Sequence, residues 1–375
     1  MRLFSTLSLT LALLLGPLAH ADDGPSYRDP EDGQIDLSDY LLNHKGVFPV
    51  PIVITEPAIG YGGGAMLLYF QQSMAEAAAE SEQETGRKQP PVISGLGGFA
   101  TNNGTWAGGA FHFHPIDGDR YRYMGGIGKA SLNLDYYGAL NQARSYNLDG
   151  DFLFQQFLFR IGDSDWFVGP RYGYFRSDIR FGDNKATELG DVDITRSIGI
   201  GGLIIDYDSR DNIFFPRRGT YFEAELQMAR SWLGSSSDFE NYTARAYTWL
   251  PLTKTLTLGL RIDGRTIDGD YPFYSQPYID LRGIEKGRYQ DQNAAMTEAE
   301  LRWDVTPRWS LLAFGGAGKA WGRWHDFGDA ETVYSYGTGF RYLIAKKLGL
   351  ASGLDFAWGP DGQRAFYIQM GSAWK

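Results

Sequence analysis

From Phe48 onward, apolar and polar residues alternate with a period of two. Phe222, Ala224, Leu226 and Met228 occupy one face of a segment whose other face is Tyr221, Glu223, Glu225 and Gln227. Leu256, Leu258, Leu260 and Ile262 likewise oppose Thr257, Gly259, Arg261 and Asp263, and Ala299, Leu301 and Trp303 oppose Glu298, Glu300, Arg302 and Asp304. Each such segment is a β-strand with one apolar and one ionic face. Alternation alone fits two classes. In a soluble sandwich the apolar face is the core, whereas in a membrane barrel it meets lipid and the ionic face lines a lumen. Two features favour the barrel. The segments run to roughly 10 residues, against the 5–6 usual in globular sheets. Aromatic residues also gather near strand ends, as in Tyr334, Tyr336, Phe340 and Tyr342, or Phe366, Tyr367 and Trp374, where interfacial girdles belong. Sixteen segments are expected, the first over 50–56 and the last over 365–374, an even number suited to an all-β, 16-stranded antiparallel transmembrane β-barrel. Two connections are long. Residues 72–91 read as a solvated loop with room for a helical turn, and 267–293 exceeds hairpin lengths.

Ahead of the alternation the pattern differs. Arg2, the apolar run 7–15 and Ala19-His20-Ala21 read as a signal peptide over 1–21, with the processed chain starting at Asp22. Residues 22–48 form an N-terminal segment in which Leu37, Tyr40 and Leu41 have helical spacing, with Asp36 or Ser38 as N-cap and Gly46 as C-cap. That short helix is a plug, a lid or simply a leader. The barrel domain is expected over 49–375.

Composition narrows the function. With 48 Gly, 46 Phe and Tyr together, no Cys and a net charge of −10 in 375 residues, disulfide scaffolds and Cys-ligated metals are excluded. An acidic exported chain is a poor binder of nucleic acid, and no nucleic-acid partner is expected. Glycines 60 and 62–64 sit within an alternating segment without a following helix, so they read as close strand packing at a seam shared with the final strand, not as a phosphate cradle.

Three motifs occur in order. Asp208-Ser209-Arg210-Asp211 precedes Pro216 and Gly219. Leu281-Arg282-Gly283-Ile284 lies in the long connection, followed by Gly287-Arg288-Tyr289 and then Glu300-Leu301-Arg302. The chain ends in Phe366-Tyr367-Ile368-Gln369-Met370-Gly371-Ser372-Ala373-Trp374, with Lys375 after it. Together, over about residue 50 to the end, they resemble the barrel of the BamA/TamA superfamily of outer-membrane assembly and translocation proteins, also called bacterial surface antigens. The resemblance implies a cell outer membrane location in a Gram-negative bacterium and a loop folded into the lumen with Arg282 pointing inward. It implies partners among outer-membrane lipids, client outer-membrane proteins or a periplasmic partner, and a terminal signal made by Phe366, Ile368, Met370 and Trp374 on one face. An inward guanidinium needs carboxylates. The family places one in a Phe-x-Asp-x-Gly stretch on the thirteenth strand, which here reads Phe314-Gly315-Gly316-Ala317-Gly318. Gly316 replaces the acid, so Glu300 is the expected partner of Arg282. Ile284 replaces the usual aromatic. Between Ala21 and Phe48 there is no room for the polypeptide-transport-associated domains that assembly and export members carry.

Enzymatic readings are weaker. His112 and His114 share a strand face without a third ligand, and no nucleophile signature accompanies them. No cofactor, metal or catalytic set is expected. The leading reading is a barrel acting in outer-membrane protein assembly, translocation or envelope lipid handling. A porin-like channel with a charged lumen is the alternative, and a barrel-embedded hydrolase the third.

Overall fold

The computed structural model describes residues 27–86, 89–138, 142–182 and 193–374. The expected leader over 1–21, its cleavage at Asp22 and the final Lys375 lie outside the described residues. A short helix α1 (Ser38–Asn43) leads into β1 (Gly46–Glu56) and β2 (Gly60–Phe70), and a second helix α2 (Met74–Thr85) into β3 (Ile93–Thr101). There follow β4 (Trp106–Ile116), β5 (Tyr121–Tyr136), β6 (Arg144–Arg160), β7 (Trp166–Phe181), β8 (Asp193–Asp208), β9 (Gly219–Ala229) and β10 (Phe239–Pro251). The sheet continues with β11 (Leu256–Gly269), β12 (Asn293–Asp304), β13 (Trp309–Trp321), β14 (Thr332–Ala345), β15 (Leu350–Trp358) and β16 (Arg364–Met370). Each strand pairs antiparallel with the next in one 16-stranded sheet. β1 and β16 lie side by side, but no ladder joins them among the described residues. The sheet is thus a nearly closed barrel with one unlaced seam.

Burial decides between barrel and sandwich, because it is inverted. Leu226, Met228, Ile262, Leu301 and Trp303 are exposed on the outer wall, whereas Glu223, Glu225, Asp263, Glu298, Glu300 and Arg302 are buried. Soluble domains do the opposite and almost never bury unpaired charge. Only a wall facing hydrocarbon around a polar interior makes this distribution favourable. The ladder registers keep it in phase. Glu298 faces Arg261 across β11–β12, and Glu223 and Glu225 flank Arg245 across β9–β10. In β1 the inward face is apolar instead, with Val50, Ile52 and Ile54 buried, the latter two packed with Ile59, Phe99 and Leu134.

The 72–91 connection holds more than a turn. Ser73 caps α2 through its hydroxyl, which accepts from Glu76 N, while Glu76 accepts from Ser73 N. This capping box is worth a helix start, and Gly86 closes the helix at positive φ. α1 departs from expectation at both ends. Leu37 is its N-cap, His44 rather than Gly46 follows it, and Gly46 opens β1. Asp36 contributes by accepting from Ser38 N at 2.7 Å. The seam lies between β1 and β16, so glycines 60 and 62–64 stand on β2, one strand in from the edge where the sequence placed them.

Candidate functional site

Inward alternation on β11, β12, β14 and β15 lines one side of the lumen with charge, and the β11–β12 connection descends onto it. Ile279, Leu281 and Ile284 pack with Met296 and Val333, and they sit where the wall is thinnest. A Cβ at Gly318 would stand 2.9 Å from Ile279 Cγ2, and one at Gly316 would stand 2.9 Å from Leu281 Cδ2. This apolar seat sets the height of the next residue. Arg282 Nε and Nη2 donate to Glu298 Oε1 at 2.7 and 2.5 Å, and Nη1 donates to Asp355 Oδ2 at 2.9 Å. Nη2 also lies 2.7 Å from Glu300 Oε2, and the guanidinium covers the Phe314 ring at 3.5 Å. Gly283 N donates to Tyr367 Oη at 3.0 Å on β16.

Sequence reasoning named Glu300 and missed Glu298 and Asp355. Glu298 shares the face of Glu300 two residues away, so its signal was present. Asp355 lies on a strand whose approach to the loop depends on barrel closure. The acid absent at Gly316 has counterparts on β12 and β15, and the space it would need is filled by Leu281. We therefore expect Gly316→Asp to destabilise the barrel by about 1–3 kcal/mol, as overpacking does, read as a lowered urea midpoint of the lipid-embedded protein.

Charge continues outward from this centre. Asp355 also accepts from Arg341 Nη1 and Nη2 at 2.6 and 2.9 Å. Arg261 bonds Asp263 at 2.7 Å and approaches Glu298 Oε2 at 3.4 Å. Lys286, further along the connection, pairs with Asp280 at 3.8 Å and with Glu56 at the end of β1 at 3.6 Å. The connection thus touches both edges of the seam, Glu56 on one side and Tyr367 on the other.

The terminal motif divides. Phe366 stacks on Tyr61 at 5.7 Å on the outer wall, and Ile368 and Met370 continue β16. Trp374 does not share their face. Gly371 takes a positive φ of 76°, the chain turns inward, and Trp374 is 2% exposed among Tyr221, Tyr247 and Trp249. Its indole Nε1 donates to Glu298 Oε2 at 3.2 Å. The period-two spacing that would put Trp374 on the face of Phe366, Ile368 and Met370 stops at Gly371, whose backbone is not extended. The connection from one end of the barrel and the tail from the other therefore meet on one carboxylate.

The first motif is an ordered turn. Asp208 clasps Arg210 at 2.8 and 2.6 Å, and Arg210 lies over the Tyr221 ring at 4.9 Å. Asp211 Oδ1 accepts from Arg217 N and Arg218 N at 2.9 and 3.2 Å. Pro216 O accepts from Arg302 at 3.0 Å, and Gly219 starts β9 against Ser209 O. His112 and His114 point to the outer wall, their rings 5.6 Å apart, and Ser94 Oγ lies 2.8 Å from His112 Nδ1. No cluster of three metal-ligating side chains forms among the described residues.

An unlaced sixteen-stranded barrel with its own connection and tail packed into a charged lumen defines a class of membrane protein, not a soluble fold. Residues 115–374 match the Omp85 superfamily domain, and the chain belongs to that superfamily. Its barrel is of the BamA/TamA type. Among solved structures, BamA from Haemophilus ducreyi lacking POTRA domains 1–3 superposes with a TM-score of 0.62 at 12% identity, covering 87% of this chain and 70% of that one. CdiB from Escherichia coli gives 0.56 at 11% identity, over 86% of this chain and 61% of that one. CdiB from Acinetobacter baumannii gives 0.55 at 10%, over 86% and 59%. The chain thus spans about 60% of the length of either CdiB. At these identities the likeness is one of fold. No curated protein matches the chain by sequence.

Proposed function

We propose that the chain is an outer-membrane barrel that works through its β1–β16 seam, in outer-membrane protein assembly, translocation or envelope lipid handling, without chemical catalysis. The end at which β1 begins and β16 finishes faces the periplasm, and the β11–β12 connection enters from outside. The observation that carries this reading is the position of the Arg282 centre. It holds a connection that touches Glu56 and Tyr367, the two edges of the strand boundary that no ladder joins among the described residues. A plug that merely narrowed a pore would have no need to reach both edges. Partners follow from the same reading: outer-membrane lipids against the exposed apolar wall, and client proteins or a periplasmic protein at the seam.

Planar-bilayer recording tests the reading against a passive channel. The wild-type barrel should give small, fluctuating currents, and deleting 272–290 should raise the mean conductance several-fold. Large steady openings in the wild type would favour the porin-like alternative. Membrane fractionation with heat-modifiable gel mobility tests the location, and recovery of the protein from the soluble periplasmic fraction would overturn it.

A further inference from the structure

We propose that residues 28–44 form a strap across the β1–β16 seam at the terminal end of the barrel, so that this end parts only when the strap lets go of Arg308. The seam has no ladder of its own among the described residues, so whatever spans it from outside the sheet determines how it separates.

The upstream half of the strap belongs to the β12–β15 side. Arg308, in the β12–β13 turn, has a side chain only 1% exposed. Nη2 meets Asp29 Oδ2 at 2.6 Å, Nε meets Asp32 Oδ2 at 2.7 Å, and Nη1 meets Asp36 Oδ2 at 2.6 Å. Three carboxylates on one guanidinium exceed its charge, and the β14–β15 turn adds two further cations. Lys346 Nζ lies 3.2 Å from Asp29 and also bonds Glu31, and Lys347 Nζ meets Asp39 at 2.6 Å. Backbone groups join in. Leu37 N donates to Ile344 O at 2.8 Å, Lys346 N to Asp36 Oδ2 at 3.1 Å, Lys347 N to Ser38 Oγ at 2.9 Å, and Tyr342 Oη to Ile35 O at 2.9 Å. Leu37 is buried with Ile344, Ala345 and Leu350, against which Met370 of β16 packs. The hydrogen bonds from Arg308 and then from Gln34 N hold the Asp32 carboxyl below its ordinary range. At Asp29 the Glu31 N–H and Lys346 do the same against some burial.

The downstream half belongs to the other side. α1 runs directly into β1, with Tyr40 and His44 packed on Phe48 at 5.9 and 5.3 Å and His44 on Phe70 at 6.3 Å. Lys45 pairs with Glu76 of α2 at 3.8 Å. A continuous chain fixed to β12–β15 at one end and to β1–β2 at the other ties the seam's two flanks. The strap acts at the terminal end, whereas Lys286–Glu56 and Gly283–Tyr367 act at the opposite end. Two fasteners at two heights let the seam open from either end independently. That they serve a working seam rests on the function proposed above; that the strap fastens is a matter of distance alone.

The chain has no cysteine, so spin-label pairs can be placed cleanly on the full-length protein in lipid nanodiscs. Val47→Cys with Ser352→Cys reports the terminal end, and Val53→Cys with Phe356→Cys the opposite end. In Arg308→Gln the first distance distribution should shift longer and broaden while the second stays as in wild type, and Lys286→Ala should do the reverse. Limited proteolysis within 28–44 shows independently whether the strap has come away. A released strap with an unchanged Val47–Ser352 distribution would overturn the proposal. If Arg308→Gln does not fold, a protease site inserted between His44 and Gly46 severs the strap after folding with Arg308 in place. Lengthening on cleavage supports the strap, and no change on cleavage overturns it. A seam that lengthens without altering bilayer currents would count against the functional reading and leave the strap standing.

Discussion

Arg282→Ala is expected to lower the unfolding free energy of the barrel by about 3–5 kcal/mol, the loss typical when one partner of a buried charge cluster is removed. The reason is what stays behind. Glu298, Glu300 and Asp355 are all buried, and without the guanidinium Glu298 is left with Arg261 and the Trp374 indole, and Asp355 with Arg341. The cation also gives up its contact with the Phe314 face. Arg282→Lys should recover only part of the loss, because an ammonium cannot serve Glu298 in the two-pronged way that Nε and Nη2 do. The check is the urea midpoint of vesicle-embedded protein together with the temperature at which heat-modifiable migration is lost. The same variant should admit larger currents, because the connection loses its central tether and is left with the apolar seat of Ile279, Leu281 and Ile284 and the edge contacts of Gly283 and Lys286. Unchanged urea resistance in Arg282→Ala would show that the cluster is solvated well enough to do without its cation.

How much of this was legible in the chain follows from the solvents on either side of the wall. Lipid outside and a polar lumen inside force opposite preferences on alternate residues, so β9, β11 and β12 declare both their extent and their inward face. The count of sixteen followed from that. Where the inward face is apolar, as at Val50, Ile52 and Ile54, the contrast fades and β1 looked shorter than it is. α2 was signalled by Ser73 and Glu76, three residues apart, and lost under the polar composition of 72–91. Residues adjacent on one strand face were within reach, which is why Glu300 could be named and Glu298 could have been. Asp355 could not, since 73 positions separate it from Arg282 and only closure of the sheet sets them side by side. Trp374 failed for a local reason: alternation assumes an extended backbone, and Gly371 ends it.

Asp355→Asn should be the most disruptive single-atom change in the lumen, larger in effect than Glu300→Gln. Asp355 is fully buried and bridges two guanidiniums, accepting from Arg341 on both oxygens and from Arg282 on Oδ2. The wall has been thinned to admit it, since a Cβ on Gly339 would come within 2.1 Å of Oδ1. An amide keeps the shape but removes the charge between two cations and turns one acceptor into a donor that faces them, so repulsion replaces attraction at short range. Glu300, by contrast, meets Arg282 through one contact, and the cation retains Glu298 if it goes. Asp355→Asn should also reach the tail, because Arg341 Nε donates to Gly371 O at 3.3 Å at the turn that sends Trp374 inward. A thiol introduced as Ser372→Cys reports this directly in a chain without cysteine. Its labelling rate should rise at least tenfold in Asp355→Asn and change little in Glu300→Gln. Equal rates in the two variants would mean that the Arg282 centre and the tail are held independently, and that their meeting on Glu298 is contact without coupling.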